Sequence, residues 1–458
     1  MRLFWLISGL ALLAYTAGLH WIFISLHDYG EMPAWLAAVS TVLLAAYVAL
    51  FAVAAFACCR WLNLSTKNLF TGLVIAAVIT LFELLRGYLL TGFPWLAIGY
   101  LAIDTPLAGF APLVGVYGVG FFAALCATWI VQAVRYRKWS ALAGATAIVL
   151  TGFLTGLHPF TEPTGRPLRV ALVQGAIPQS MKFDPNREAQ AIQTQIEIAN
   201  AAAVAGAVHL IVFPETALVR PWEMSTPGAR EAFLGLAQRS NATVMLGLPM
   251  RDSRGWFNSV IALDPESPSG FRARYDKHHL VPFGEFIPFG FRWFVDMMNM
   301  PLGDFQRGEK IQQPIAVNGQ RIGVNICYED LFGEEIIRPL SPAIKAEEQP
   351  TVLLNVSNLA WFGNTIALDQ HLDIARMRSK ETGRPSIRAT NTGATAAINH
   401  YGHVLDHLPH GEPGLLLTQV QGMQGVTPYS RFGNWPILVL SVLVVIGQWI
   451  ATRLRRSR

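Results

Sequence analysis

The chain is short of charge. Only 14% of its 458 residues are Asp, Glu, Lys or Arg, against about 25% in ordinary soluble domains. That shortfall excludes disorder and argues against a soluble enzyme. It is also uneven, because only 11 of these residues fall in the first 157 positions. Cysteine is scarce: four residues cannot build a disulfide scaffold. Cys58, Cys59 and Cys126 lie in or beside apolar runs, so Cys327 has no partner in the polar part. No Cys/His cluster has metal-ligand spacing, and the adjacent His278 and His279 point to different faces if extended. No G-x-x-x-x-G-K-[ST] phosphate loop is present. A metal or other cofactor is therefore not expected. The net charge of +5 does not point to nucleic acid either. Many basic residues cluster beside apolar runs, where they orient a membrane protein.

Apolar runs are what the chain has instead. A span needs about 20 apolar residues, and such runs lie near 3–26, 34–57, 69–90, 109–134, 139–157 and 434–452. The first is too long for a signal peptide, and no small-residue cleavage site follows it. Arg60 with Lys67, then Arg135, Arg137 and Lys138, then Arg453, Arg455, Arg456 and Arg458 mark cytoplasmic ends. These place both termini in the cytoplasm and residues of about 158–433 outside it. The resulting division is a multi-span part over 1–158, an extracytoplasmic domain over 165–430 and a last span over 434–453. Glu83 and Arg86 are charges inside an apparent span, i,i+3 on one helix face. They read either as part of a substrate path or as a structural pair.

After a linker at 161–167, the polar part alternates strands and helices. Strands are expected at 169–174, 209–213, 242–248, 257–264, 321–326 and 351–356, and helices at 187–205, 228–239, 332–346 and 366–382. That pattern predicts α/β layering.

Three residues stand where a rigid scaffold displays chemistry. Glu215 ends Leu-Ile-Val-Phe-Pro-Glu, Lys277 lies in Tyr-Asp-Lys-His-His, and Cys327 ends Ile-Gly-Val-Asn-Ile-Cys. Alone, each has an ordinary explanation: a packed core thiol, a glutamate near a helix start, a surface ion pair. Together they make an acyl-transfer set. A thiol needs a base to become a nucleophile. A cation favours the thiolate and then stabilises the oxyanion, beside the backbone N–H after the nucleophile.

The ordered motifs resemble the apolipoprotein N-acyltransferases, a membrane-embedded family of the nitrilase superfamily. They are His27–Pro33, Thr91-Gly92-Phe93-Pro94-Trp95, Gly115-Val116-Tyr117-Gly118, Ala171–Gly175 with Ile177-Pro178-Gln179, Phe213-Pro214-Glu215, His279–Glu285, Ile326-Cys327-Tyr328-Glu329, Ala360-Trp361-Phe362-Gly363, Ala375-Arg376-Met377-Arg378 and Gly433-Asn434-Trp435-Pro436. The resemblance implies an α-β-β-α sandwich inserted between transmembrane helices, about five before it and one after. It implies a triad of Glu215, Lys277 and Cys327, supported by Glu285, Tyr328 and Glu329, with Phe183 and Trp361 binding substrate. It implies transfer of the sn-1 acyl chain of a phospholipid, typically phosphatidylethanolamine, through a thioester. The acceptor is the α-amino group of an S-diacylglyceryl cysteine at a lipoprotein N-terminus, and the setting is the periplasmic face of a bacterial inner membrane. Phe183 stands where the family usually has Trp, and Leu359 where many members have Asp. The family usually begins with about two more spans; an even difference leaves the topology unchanged. The alternatives are a membrane-tethered nitrilase-type amidohydrolase, which shares the triad, and a transporter or lipoprotein-binding scaffold, against which the intact triad argues. Apolar residues at 283, 286, 289 and 291 are expected around the pocket mouth and favour transfer.

Overall fold

The computed structural model describes residues 2–182, 184, 186–206, 208–266, 270–290, 292 and 304–456. Five apolar helices come first: α1 (Arg2–Leu19), α2 (Ala34–Trp61), α3 (Phe70–Tyr88), α4 (Ala111–Tyr136) and α5 (Trp139–Gly156). Leu3, Trp5, Leu6, Leu10 and Leu13 of α1 are exposed. Apolar side chains pointing outward in this way suit a hydrocarbon solvent. Glu83 and Arg86 of α3 are buried 3.5 Å apart, and Glu83 Oε1 also accepts the Ile98 N–H at 2.9 Å.

Helix α4 is broken at Gly115, where φ is +66° and a Cβ would lie 2.3 Å from the Tyr429 ring. Only glycine fits that combination. The break frees the Val116 N–H, which donates to Glu381 Oε1 at 2.7 Å.

The polar part holds two six-stranded sheets. The first uses β1 (Leu168–Gln174), β2 (Leu210–Val212), β3 (Thr243–Asp252), β4 (Gly255–Leu263) and β5 (Ala273–Asp276). The second uses β6 (Ile315–Val317), β7 (Gln320–Ile326), β8 (Val352–Ser357), β9 (Ser386–Thr390), β10 (Ala396–Ile398) and β11 (Val404–His407). Strand β12 (Gly414–Val420) returns to the first sheet. The orders are β12-β1-β2-β3-β4-β5 and β11-β10-β9-β8-β7-β6. Strands β1 to β3 run parallel to one another, as do β7 to β9.

Side-chain alternation builds the layers. Leu168, Val170 and Leu172 of β1 face Ile322, Val352 and Leu354 between the sheets. Ala171 and Val173 face outward onto α6 (Glu188–Ala205), and the same apolar cluster takes in α7 (Ala229–Ser240). Outside the second sheet lies α8 (Ala367–Thr382), and the chain closes with α9 (Trp435–Arg456). Among the described residues, six helices are long and apolar enough to cross a membrane.

Helix α8 serves two layers at once. Ala367, Ile374 and Met377 belong to one buried apolar cluster with Leu19, Trp21, Trp95 and Tyr117 of the helical part, and with Tyr328, Leu331 and Phe332. One correction concerns 332–346. It is not one helix but a short turn of helix at Gly333–Ile336 followed by single 3-10 turns at Arg338–Leu340 and Ala346–Glu348. Pro339 and Pro342 have no N–H to give a helix, and each restricts the residue before it. The 161–167 linker contributes a two-residue strand, Glu162–Pro163, paired with Met423–Gln424.

Candidate active site

Three strand ends meet at one point. Pro214 follows β2 and turns Glu215 inward. Gly247 of β3 makes room for that turn, because a Cβ there would lie 2.6 Å from Glu215 Cα. Lys277 directly follows β5, and Cys327 directly follows β7. Each arm carries a non-glycine residue in the left-handed region: Thr216 (φ +51°), Phe283 (φ +64°) and Cys327 itself (φ +52°). Such residues cost about 1–2 kcal/mol each and persist where surrounding bonds fix them.

Glu215, Lys277 and Glu285 form a buried polar knot. Lys277 Nζ lies 2.9 Å from Glu285 Oε1 and 3.5 Å from Glu215 Oε1. Asn258 of β4 donates from Nδ2 to Glu215 Oε1 at 2.7 Å and to Glu285 Oε1 at 2.6 Å. Glu285 Oε2 accepts the Val281 N–H at 2.8 Å. The second Glu215 oxygen accepts the Asn358 N–H at 2.9 Å.

The charges follow from this packing. Burial by itself would lower the Lys277 pKa, but Glu285, Glu215 and Cys327 outweigh it and hold the ammonium above its ordinary range. Burial, then the Glu215 charge, push the Cys327 thiol up, and Lys277 opposes them only partly. Cys327 is a free thiol, and at rest it keeps its proton.

Glu329 holds the arms in register. Its Oε1 accepts the N–H groups of His278 (2.7 Å) and His279 (3.1 Å). Its Oε2 accepts from the Ile326 N–H (2.7 Å) and the Tyr275 hydroxyl (2.9 Å). One carboxyl thus ties the segment after β5 to the end of β7. Burial pushes it up to about 7. Tyr328 is buried and donates to the Gly92 carbonyl at 2.9 Å, so the turn that carries Cys327 is bonded to the helical part.

Of the residues singled out from sequence, Glu215, Lys277, Cys327 and Glu285 converge, and Tyr328 and Glu329 flank them. Trp361, in the turn that follows Asn358, is edge-on to Tyr29 with ring centroids 5.8 Å apart. Leu359 is fully buried. Phe283 packs beside Met32 and Ala37, whereas Phe289 is fully exposed. Phe183 and Phe291 lie outside the described residues.

Sequence reasoning missed Asn258, Asn358 and Lys182. Lys182 is buried and donates to the Glu215 carbonyl at 3.2 Å, and burial pulls its pKa down to about 7. The available signal was polarity in an apolar stretch, as in Phe-Asn-Ser-Val-Ile-Ala-Leu for Asn258. Among the described residues, no three His, Cys, Asp or Glu side chains group as metal ligands.

Residues 169–429 match the carbon-nitrogen hydrolase family, and residues 1–129 match the apolipoprotein N-acyltransferase N-terminal domain. An apolipoprotein N-acyltransferase of Bordetella bronchiseptica is 42% identical over 98% of this chain and 87% of its own. One of Ralstonia nicotianae is 45% identical over 94% of this chain and 82% of its own. Among solved structures, XC1258 from Xanthomonas campestris, a CN-hydrolase superfamily protein, aligns with 56% of this chain and 91% of its own at 19% identity, with a TM-score of 0.42. On identity that runs through both the helical part and the sandwich, the chain belongs to the apolipoprotein N-acyltransferase family.

Proposed function

We propose that this protein moves an acyl chain from a phospholipid to the α-amino group of a lipoprotein's N-terminal S-diacylglyceryl cysteine, the last step of lipoprotein maturation. One observation carries the reading. The Glu215–Lys277–Cys327 centre is bonded directly to the apolar helical part, through Tyr328 and Gly92. A hydrolase of soluble amides has no use for that attachment.

The chemistry runs in two halves. The resting thiol is protonated, so Glu215 takes its proton as sulfur attacks the sn-1 ester carbonyl. The Lys277 ammonium and the Tyr328 N–H stabilise the oxyanion. The intermediate collapses, the lysophospholipid alkoxide leaves with the proton from Glu215, and a Cys327 thioester remains. The acceptor amine then attacks the thioester, gives its proton to Glu215 and expels the Cys327 sulfur, which recovers that proton. Glu285 and Asn258 hold Lys277 and Glu215 in place throughout. Phosphatidylethanolamine is the proposed donor. Phe183 and Trp361 are proposed to bind substrate, on the family resemblance.

The basic ends of the helices support a multi-pass setting in a bacterial inner membrane. In it, both termini are cytoplasmic and the catalytic domain, about 165–430, lies on the periplasmic face between spans within 1–158 and 434–453.

The test is a mass measurement in detergent. Purified protein is mixed with phosphatidylethanolamine and a diacylglyceryl-cysteine peptide. The expected result is a peptide heavier by one acyl chain, equimolar lysophospholipid, and an acyl adduct on wild type that Cys327→Ala lacks. Free fatty acid in place of acylated peptide would instead establish a tethered hydrolase. Full activity of Cys327→Ala would remove both readings.

A further inference from the structure

Helix α8 sends one titratable side chain to the back of the nucleophile turn. His371 is 1% exposed, and its Nε2 lies 3.2 Å from the Cys327 carbonyl oxygen. Its Nδ1 is bonded to Arg388 Nη2. A guanidinium only donates, so Nδ1 must accept and the ring proton must sit on Nε2. His371 Nε2–H therefore donates to the Cys327 carbonyl. Burial and the Arg388 charge hold the ring well below its ordinary pKa, which keeps it neutral and in this tautomer.

The ring is also fixed from its face and from its neighbours. Trp95 stacks on it with centroids 5.7 Å apart and planes 19° apart. Trp95 Nε1 in turn donates to Gln370 Oε1 at 2.7 Å. Arg388 is held by the buried carboxylate of Asp330. A second donor, Asn355 Nδ2, reaches the Cys327 carbonyl at a longer 3.3 Å.

That carbonyl belongs to the peptide joining Cys327 to Tyr328. In a trans peptide, C=O and N–H point in opposite directions from one plane. A bond that fixes the carbonyl therefore fixes the direction of the Tyr328 N–H. Cys327 itself has φ of +52°, a left-handed conformation that costs about 1–2 kcal/mol and persists where surrounding bonds fix the turn.

We infer that His371 is a positioning residue for the acyl-transfer step: by donating to the Cys327 carbonyl, it aims the Tyr328 N–H on the other edge of the same peptide at the forming oxyanion. This rests on the proposed thioester chemistry. It makes the Trp95 segment, which follows α3, part of the apparatus that shapes the sandwich's site. Nothing in the local sequence around His371 announces the role, because both partners come from distant strands.

The test compares two reactions of one sulfur in the full-length protein. Acylation of Cys327 by p-nitrophenyl palmitate passes through an oxyanion; alkylation by iodoacetamide does not. His371→Asn leaves an acceptor for Arg388 but falls short of the Cys327 carbonyl. His371→Gln can accept from Arg388 and still donate to that carbonyl. His371→Phe keeps a ring against Trp95 without a donor. Acylation in the Asn and Phe variants should slow about 100-fold, the lower end for loss of an oxyanion donor. His371→Gln should stay within about tenfold of wild type. Alkylation at Cys327, followed by peptide mass mapping, should stay within about twofold in every variant, because no oxyanion forms. The inference is overturned if Asn and Phe acylate at the wild-type rate, if Gln is as slow as Asn, or if alkylation falls in step with acylation. A diacylglyceryl peptide offered to the wild-type acyl-enzyme separates the two readings. Failure to transfer to it removes the proposed acceptor while the acylation rates still decide the role of His371.

Discussion

The two regions of this molecule solve the burial problem in opposite directions. The helical part turns large apolar side chains outward, as in Leu10, Leu13, Leu43 and Leu50, and keeps Glu83 and Arg86 inside. The sandwich buries its aliphatic residues between and behind its sheets, yet it also buries charge, as where Glu215, Lys277, Glu285 and Glu329 lie together. The solvent dictates the first difference. The second shows where the sandwich departs from stability for its own sake, since buried charges persist only when paired and hydrogen-bonded. Where the regions join, both habits combine. Apolar packing and a buried Arg378–Glu381 pair at 3.0 Å share helix α8.

Each part of that contrast can be broken separately. The largest effect is expected inside the sandwich. Lys277→Met should cut single-turnover acylation about 10⁴-fold, near 5 kcal/mol of barrier, with the fold retained by circular dichroism. A rate within tenfold of wild type would mean that the oxyanion is stabilised elsewhere.

Next comes the junction. Glu381→Ala strands Arg378 without its partner and removes the acceptor of the Val116 N–H at the Gly115 break. Losing one partner of a buried pair costs about 3–5 kcal/mol, so denaturant unfolding in detergent should show a loss of that size. A loss below about 1 kcal/mol would show that the apolar cluster alone holds the regions together.

A smaller effect depends on pH. Burial lowers Lys182 to about 7 in the folded protein, below its ordinary value of 10.5. The unfolded state therefore binds more protons between about pH 7 and 10.5, and stability rises with pH across that window. Measured against Lys182→Met, the wild type should gain about 2 kcal/mol between pH 7 and pH 9. A flat difference would mean that the lysine is solvated.

The smallest effect sharpens the comparison by contrast. Arg376 also joins the regions, through Asp104, but Asp104 is 73% exposed. Asp104→Asn should change stability by less than about 1 kcal/mol. A cost equal to that of Glu381→Ala would show that exposure does not separate these two contacts.

The strands that sequence made legible are β1, β2, β3, β4, β7 and β8, which lie inside their sheets. Strands covered on both faces read as continuous apolar runs, as in Val352–Ser357. The unanticipated edge strands β5, β6, β11 and β12 are short or half exposed. Strand β9 was hidden by Arg388, a buried charge in Ser-Ile-Arg-Ala-Thr that makes sense only once Asp330 and His371 lie beside it. The expected 332–346 helix does not form, because Pro339 and Pro342 interrupt it.

What the sequence determined by itself is the division into apolar spans and a polar part, and the placing of Glu215 and Cys327 at the ends of apolar runs. Burial and period are written in neighbouring residues, so local composition suffices for them. What only the tertiary structure decided is partnership. Asn258 bridges two glutamates, Glu329 pins the arms in register, and His371 reaches the Cys327 carbonyl from a helix shared with the membrane-type helices. A buried polar atom takes whichever partner the packing brings to it, and that depends on which strand ends meet.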